Sequence, residues 1–443
     1  VLKTFKLGGV HPAENKLSAG KAIESLPLPK TVFIPVSQHI GAPAQALVKK
    51  GDAVKVGQLI AQASGFVSAN IHSSVSGTVK KIDLGPDASG YQKQGIYIDV
   101  EGDEWMEHID RSATLASDCT LDPKEILTKI QEAGIVGLGG ATFPTHVKLM
   151  PPQGMKVKVL LINGVECEPY LTADHRLMLE HGEEILAGIR ILMRGLQVNQ
   201  AAIGIENNKP DAIAHLQKLV QKYPNISVVP LKVKYPQGGE KQLIKAVTGL
   251  EVPSGALPIA VGAVVSNVGT AFAVYEAVQK NKPLFERVVT VTGKSVKTPS
   301  NFKVRIGTSI GELIEAAGGL PEDTGKIING GPMMGKAVAS TEIPVTKGTS
   351  GVLILKDAEA NRGKVENCIR CSRCVSVCPM GLEPFLLMTV SEKQLWNRAE
   401  GGNVMDCIEC GSCSYTCPSN RPLLDYIRLG KGKVGQIIRS RKN

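Results

Sequence analysis

From Thr31 to about Val100, short apolar runs alternate with turn residues, a period-two pattern that predicts strands joined by tight turns. In Val48-Lys49-Lys50-Gly51-Asp52-Ala53-Val54-Lys55-Val56-Gly57-Gln58-Leu59-Ile60, Gly51-Asp52 is a hairpin signal, and Gly57 and Gly77 mark further turns. Beyond Asp122 the apolar period lengthens to that of helices alternating with buried strands. Asp122-Pro123 predicts a cap and first-turn proline, opening a helix with Ile126, Leu127, Ile130 and Ala133 on its apolar face. Strands are expected at 157–162, 201–206 and 226–233, and helices at 172–194, 210–223, 239–248 and 270–280. This alternation implies an α/β layer with a largely parallel sheet.

Residues 285–330 change again. Strands at 287–293 and 302–306, a helix at 310–317 capped by Thr308-Ser309 and a returning strand predict a small β-grasp module. Residues 1–30, rich in Gly, Pro and Lys, predict a loop-like extension. Residues 384–400 place Phe385, Met388 and Leu395 at helical spacing, which predicts a helical C-terminal module. The expected domains are therefore 1–30, 31–105, 106–282, 283–355, 356–430 and a basic tail at 431–443. The fold class is multidomain, α/β plus α+β, as 443 residues are too many for one core.

Eight of the ten cysteines form two identical runs, Cys368-x-x-Cys371-x-x-Cys374-x-x-x-Cys378-Pro379 and Cys407-x-x-Cys410-x-x-Cys413-x-x-x-Cys417-Pro418. Their spacing is similar to the bacterial ferredoxin pattern for two [4Fe-4S] clusters, in which the fourth cysteine of each run serves the other cluster. The expected ligand sets are Cys368, Cys371, Cys374 and Cys417, then Cys407, Cys410, Cys413 and Cys378. Zinc sites use two spaced Cys-x-x-Cys pairs, and three cysteines at three-residue steps with a trailing proline argue against them. Arg362, Arg370, Arg373 and Arg421 lie close by in sequence, either offsetting the negative clusters or as solvated surface charge.

Charge changes the picture little. The formal net charge of +10 falls by roughly 4 once two clusters are bound, and no arginine-rich helix or aromatic-studded basic motif supports nucleic-acid binding. The tail after Leu429 carries five cations and no acid, and reads as a solvated disordered end or as a docking element for an anionic membrane or acidic partner. No stretch reaches the ~18 apolar residues of a spanning helix, and no signal peptide is expected. Unpaired thiols fit a reducing compartment. His11, His39 and His72 are isolated and read as loop or surface residues, and Cys119 and Cys167 as small buried fillers.

Gly137-Leu138-Gly139-Gly140-Ala141-Thr142-Phe143-Pro144-Thr145 is not a Rossmann fingerprint, since Thr142 stands where the third glycine belongs. Bare glycines nonetheless let backbone N–H groups close on a phosphate, with Lys148 as counter-charge. Beside iron–sulfur motifs, a flavin would convert two-electron into one-electron chemistry.

This loop resembles the FMN site in the NADH-oxidising subunit of respiratory complex I. Asn163-Gly164-Val165-Glu166-Cys167-Glu168-Pro169 resembles that family's Asn-x-Asp-Glu-x-Glu-Pro segment, with Val165 in place of an Asp. Tyr235-Pro236-Gln237-Gly238-Gly239-Glu240 and Ser266-Asn267-Val268-Gly269-Thr270 resemble its later flavin-contacting loops, with Lys241 and Ser266 as departures. The resemblance implies cofactor contacts at Gly137, Gly139, Gly140, Ala141, Phe143, Thr145, Lys148, Asn163, Glu166, Glu168, Gly239, Glu240, Ser266, Asn267 and Thr270. Phe143 would stack on nicotinamide or simply pack, and Glu166 and Glu168 would hold ribose hydroxyls or steer nicotinamide. Residues 31–105 resemble a biotinyl/lipoyl-type barrel-sandwich, but the tip, Ala63–Ala69, has no modifiable lysine.

Gly8-Gly9-Val10-His11-Pro12, Gln38-His39-Ile40-Gly41-Ala42-Pro43 and Gly330-Gly331-Pro332-Met333-Met334-Gly335, with the domain order, are similar to the RnfC family of Rnf (Rsx) electron-transport complexes along essentially the whole chain. That resemblance implies a β-grasp module of the SLBB (soluble-ligand-binding) type and two [4Fe-4S] clusters, FMN and NAD(H) as cofactors. It also implies integral membrane partner subunits, ferredoxin as an indirect partner, and a peripheral place on the cytoplasmic face of the inner membrane. The cofactors would carry the chemistry, with no catalytic side chain. Two other readings stand beside it: a soluble flavin/iron–sulfur reductase such as a microcompartment cobalamin reductase, and a flavin-free electron wire.

Overall fold

The structure, a computed structural model, describes residues 2–441. The N-terminal extension is mostly irregular, but it crosses the α/β domain and supplies an edge strand, β1 (Ile23–Ser25), to a sheet far along the chain. Next come β2 (Thr31–Pro35), β3 (Gln45–Ala46), β4 (Ala53–Val54), β5 (Leu59–Gln62), β6 (Ile71–His72), β7 (Gly77–Pro86) and β8 (Gln92–Val100). They form two antiparallel sheets, ordered β2-β8-β7-β4 and β3-β5-β6. Val32, Ile34, Ile60, Ile71, Ile96 and Ile98 fill the space between them. Of His39 and His72, expected in loops or at the surface, His39 lies in a loop and His72 in β6, but both are buried, and burial lowers their pKa values to about 4 and about 3.

The α/β domain opens with α1 (Pro123–Glu132), where Asp122 and Glu125 form a reciprocal capping box worth about 1 kcal/mol. Ile126 and Ile130 are fully buried, as the period predicts. The domain continues through α2 (Thr145–Lys148), β9 (Val159–Asn163), α3 (Ala173–Glu180), α4 (Gly182–Leu196), β10 (Ala201–Glu206), α5 (Pro210–Leu219), β11 (Ile226–Leu231), α6 (Glu240–Thr248), β12 (Ala263–Asn267) and α7 (Val268–Gln279). Its four strands are all parallel, in the order β11-β10-β9-β12. One expected helix, 172–194, is instead two, broken at His181. A side-chain carbon on Gly182 would lie 2.8 Å from His215, so close packing on α5 sets the break.

β13 (Glu286–Thr292), β14 (Ser300–Arg305), α8 (Ile310–Ala316), β15 (Thr324–Asn329), β16 (Lys336–Val338) and β17 (Gly351–Lys356) complete the β-grasp module. Its mixed sheet runs β1-β14-β13-β17-β15-β16. Ser309, within the expected Thr308-Ser309 pair, caps α8. The rest is helical: α9 (Asp357–Ala360), α10 (Arg373–Ser376), α11 (Pro384–Glu392), α12 (Trp396–Gly401), α13 (Ser412–Thr416) and α14 (Leu423–Ser440). The single helix expected at 384–400 stops at Glu392, and Leu395 lies exposed in the link. The basic segment expected as a disordered end continues α14 to Ser440, with Val434 and Gly435 buried; residues 442–443 lie outside the described range. Among the described residues no helix is long and apolar enough to cross a membrane.

Candidate functional site

In the parallel sheet the chain winds outward from β9 to β10 and β11, then returns to add β12 on the other side of β9. The strand order thus reverses between β9 and β12, and ligands of open α/β sheets bind outside the carboxyl ends of strands at such a point. Asn163 ends β9 and Asn267 ends β12, in register with each other. Asn267 Nδ2 donates to the Asn163 carbonyl (3.2 Å) and to Asp174 Oδ2 (2.7 Å). Its Oδ1 accepts from Gly269 N–H at 2.7 Å, capping α7.

The glycine loop closes over this end. Leu138 N–H donates to Thr270 Oγ1 (3.0 Å), and Gly137 N–H to the Phe143 carbonyl (2.9 Å). A side-chain carbon on Gly139 would sit 2.7 Å from the Asn267 amide, so only glycine permits this approach. Around Gly140 no atom lies within 4 Å of such a carbon, and Gly140 and Ala141 are exposed, leaving a cradle open for a ligand. Asn163 Nδ2 donates to the Gly238 carbonyl (2.9 Å), while Lys148 bridges Glu240 (2.7 Å) and the Val265 carbonyl (2.8 Å). Gly137, Gly139, Gly140, Ala141, Lys148, Asn163, Gly239, Glu240, Ser266, Asn267 and Thr270 thus gather at one end of the sheet. Phe143 is half-buried, and Thr145 is buried with its hydroxyl unpartnered. The donor set, a glycine cradle, a helix N-terminus and amide side chains, fits a phosphorylated flavin.

Glu166 and Glu168 are turned to other work. The Glu166 carboxylate accepts from the N–H groups of Asp174 (2.8 Å) and His175 (3.2 Å), at the start of α3. That of Glu168 accepts from Met333 (3.1 Å) and Met334 (2.7 Å), in the glycine-rich loop of the β-grasp module. Burial pushes the Glu168 pKa up to about 7. Lys16 clamps the same segment: its ammonium donates to the carbonyls of Glu166 (2.8 Å), Glu168 (2.9 Å) and Leu171 (2.7 Å). Asp174, half-buried and raised to about 6 by desolvation and the charge of Glu166, also faces the crevice. In the sequence Lys16 is one lysine of a loop, and Asp174 looks like a first-turn acid.

The two cysteine runs have the same backbone. Arg370 and Ser372 in the first, Glu409 and Gly411 in the second, all take the left-handed conformation at equivalent positions. Each run then enters a short helix, α10 or α13. In the second run these turns leave Cys410 and Cys413 buried and Cys407 half-buried. The thiols of Cys378, Cys407, Cys410 and Cys413 line one small cavity with Pro379, Leu382, Leu387, Leu424 and Ile427. Cys378 from the first run thus joins the second, the crosswise set expected. Burial first, then mutual repulsion, pushes Cys407 up to about 11 and Cys413 up to about 12, a crowding that bound iron would relieve by taking thiolates. Across the module Cys374 feels both Cys417 and Cys368, the other set. Cys368 and Cys371 are exposed.

Of the arginines, Arg362 pairs with Asp425 (2.8 Å) and Arg421 contacts Met388 Sδ (3.0 Å), whereas Arg370 and Arg373 are exposed. The cation beside the second set is Lys431, which donates to the Cys407 carbonyl (2.6 Å) and Glu409 (2.9 Å).

Tyr235 joins the two sites: its hydroxyl donates to the Cys410 carbonyl at 2.8 Å. Val10 pairs with Tyr235, Gly9 N–H donates to the Val377 carbonyl (2.8 Å), and Gln242 donates to the Pro379 carbonyl (3.3 Å). Cys167, which accepts from Gly238 N–H (3.4 Å), packs here and is held neutral by burial at about 12, the filler expected. A cleft of about 970 Å³ opens elsewhere, between the β7–β8 tip, β16 and Tyr415.

Four family models match in order along the chain: the RnfC barrel sandwich hybrid domain (residues 3–103), the Nuo51 FMN-binding domain (130–276), the SLBB domain (288–337) and a 4Fe-4S dicluster domain (356–418). Among curated relatives, the chain is 51% identical to the C component of the proton-translocating ferredoxin:NAD(+) oxidoreductase complex of Clostridium ljungdahlii, over 90% of this chain and 87% of that one. It is 45% identical to the Na(+)-translocating counterpart of Acetobacterium woodii, over 97% of both chains. It is 44% identical to the C component of the ion-translocating oxidoreductase complex of Rhodobacter capsulatus, over 98% of this chain and 84% of that one. The identity spans every domain, with the clusters placed after the β-grasp module. The chain belongs to the RnfC family, the C components of ion-translocating oxidoreductase complexes.

Proposed function

We propose that this chain is the electron-transfer subunit of a membrane-bound ferredoxin:NAD oxidoreductase of the Rnf type, linking NAD(H) to one-electron carriers. FMN in the crevice would exchange hydride with nicotinamide and single electrons with the two [4Fe-4S] clusters. The chain's own residues position and insulate. Gly139 and Gly140 open the cradle, Asn163 and Asn267 fix the loops at the strand ends, and Lys16 holds the 163–171 segment rigid. No side chain acts as acid or base.

The observation that carries the reading is the hydrogen bond from Tyr235, in a crevice loop, to the carbonyl of Cys410, a ligand of the second set. It supports a reading in which a cluster on Cys378, Cys407, Cys410 and Cys413 would be the flavin's neighbour. The cluster on Cys368, Cys371, Cys374 and Cys417, nearer solvent, would exchange electrons with a partner. Membrane subunits would couple this traffic to ion movement, and ferredoxin would contribute electrons through them. The chain would sit peripherally on the cytoplasmic face of the inner membrane, where NAD(H) is available and thiols stay reduced. The test is anaerobic reconstitution with iron, sulfide and FMN, followed by rapid mixing with NADH. Flavin bleaching should precede the electron paramagnetic resonance signal of reduced clusters. Loaded protein that NADH leaves oxidised would defeat the reading.

A further inference from the structure

The N-terminus of α7 opens on the crevice where the glycine loop is stitched to Thr270. A side chain from another module reaches it. Arg287 stands on β13 of the β-grasp sheet, yet it is only 8% exposed, with its guanidinium against the flavin domain. Nε and Nη2 both donate to the Thr349 carbonyl, at 3.2 and 3.1 Å. Nη1 has no hydrogen-bond partner among the described residues, and lies 3.7 Å from where a side-chain carbon on Gly269 would stand. Gly269 is the second residue of α7.

A guanidinium has five N–H donors, and those two bonds leave three unspent. The charge that acts on it is Asp174, whose carboxylate is already engaged by Asn267 at 2.7 Å. A buried cation without a hydrogen-bonded counter-ion is costly, and an anion in the crevice would remove that cost. Burial lowers the Arg287 pKa only to about 10, so it stays charged at neutral pH. The loop whose carbonyl Arg287 holds approaches the glycine cradle as well: a side-chain carbon on Gly348, beside Thr349, would lie 2.7 Å from Thr142 Cγ2.

We propose that Arg287, lent by the β-grasp module to the flavin domain, is the cation that recognises the flavin's phosphate. Planar guanidinium matches phosphate geometry, and the α7 N-terminus adds its own N–H groups and dipole. The flavin site is then complete only when the β-grasp module is docked. This inference rests on the FMN reading above.

The experiment compares FMN with riboflavin, which has the same ring and no phosphate, by fluorescence quenching on the full-length chain with its clusters loaded. Wild type should bind FMN far more tightly than riboflavin. Arg287→Gln should weaken FMN about 30-fold, the loss expected for a charge-assisted hydrogen bond, and leave riboflavin unchanged. Arg287→Lys, which keeps the charge, should recover part of the loss and guards against a folding defect. Parallel loss of both flavins would make Arg287 a scaffold residue and overturn the proposal, as would no loss of either. Wild-type protein that binds neither flavin would instead sink the FMN reading on which it depends.

Discussion

Lys16→Met tests how the 163–171 segment is held. The substitution keeps an unbranched apolar stem and removes the ammonium. Three hydrogens of that ammonium meet three carbonyls at 2.7–2.9 Å, so every donor it has is used. Hydrogen bonds to charged groups contribute about 1.5–3 kcal/mol each, a simple sum of roughly 4.5–9 kcal/mol. The cost of burying the cation, which also lowers its pKa, is recovered when it is removed. The net loss should therefore be about 3–5 kcal/mol, as for other broken buried charge contacts. It should be local, because β9 lies upstream of the clamp and stays paired in the sheet. Hydrogen exchange read by mass spectrometry should show protection lost across residues 163–172 and retained in β2–β8. FMN affinity should fall at least about tenfold. Lys16→Arg should not rescue, since a planar fork cannot meet three carbonyls converging on one nitrogen. Unchanged exchange in 163–172, with unchanged FMN affinity, would refute the reasoning.

Cys378→Ala should remove the cluster of the second run and Cys417→Ala that of the first, each leaving about half the iron. Chelator should then strip the survivor quickly in Cys378→Ala, where it hangs on exposed Cys368 and Cys371, and slowly in Cys417→Ala; the reverse order would exclude crosswise ligation. Glu168, raised from 4.5 to about 7, keeps a proton in the fold that the unfolded chain has released between those values. Stability should therefore fall as pH rises from about 5 to 8, by up to ~3 kcal/mol from this group, and Glu168→Gln should flatten that dependence in thermal unfolding at the two pH values. Tyr235→Phe leaves the Cys410 carbonyl without its donor. It should cost about 1–2 kcal/mol of stability and slow NADH-driven cluster reduction, with flavin bleaching unchanged in the same stopped-flow trace.

The parts legible in the sequence were those with local causes. The Asp122 cap, the α8 cap and the alternation that builds the parallel sheet each depend on neighbouring residues, and each appears within a few positions of expectation. The cysteine runs carry their own geometry in their spacing. β12 went unread because Ala263–Asn267 follows a Pro- and Gly-containing apolar stretch and has no alternation of its own. The break at His181 coincides with the close approach of Gly182 to α5, and the stop after Glu392 with a left-handed Gln394, neither of which helical period alone records. For the site, glycines and asparagines announced themselves through their loops. Lys16 and Arg287 did not, because each acts far from its own place in the chain: Lys16 on carbonyls 150 or more residues away, Arg287 on the Thr349 carbonyl 62 residues on and on the α7 N-terminus of another module. The acids of the 163–168 segment misled for a related reason: the groups that engage them belong to α3 or to another module.

Residues 3–16 lie along the flavin domain and against the cluster module: Lys3 pairs with Leu231, Val10 with Tyr235, and Gly9 with Val377. A ribosome makes this strap more than 360 residues ahead of its last anchor, roughly 20–70 s at typical synthesis rates. During that interval the strap can engage the flavin domain through Lys3, Val10 and Lys16, but its Gly9 anchor on the cluster module is missing. The strap is therefore fully anchored only once the cysteine module has emerged and taken its shape, so failed cluster insertion would be felt as a loosened strap in a different domain.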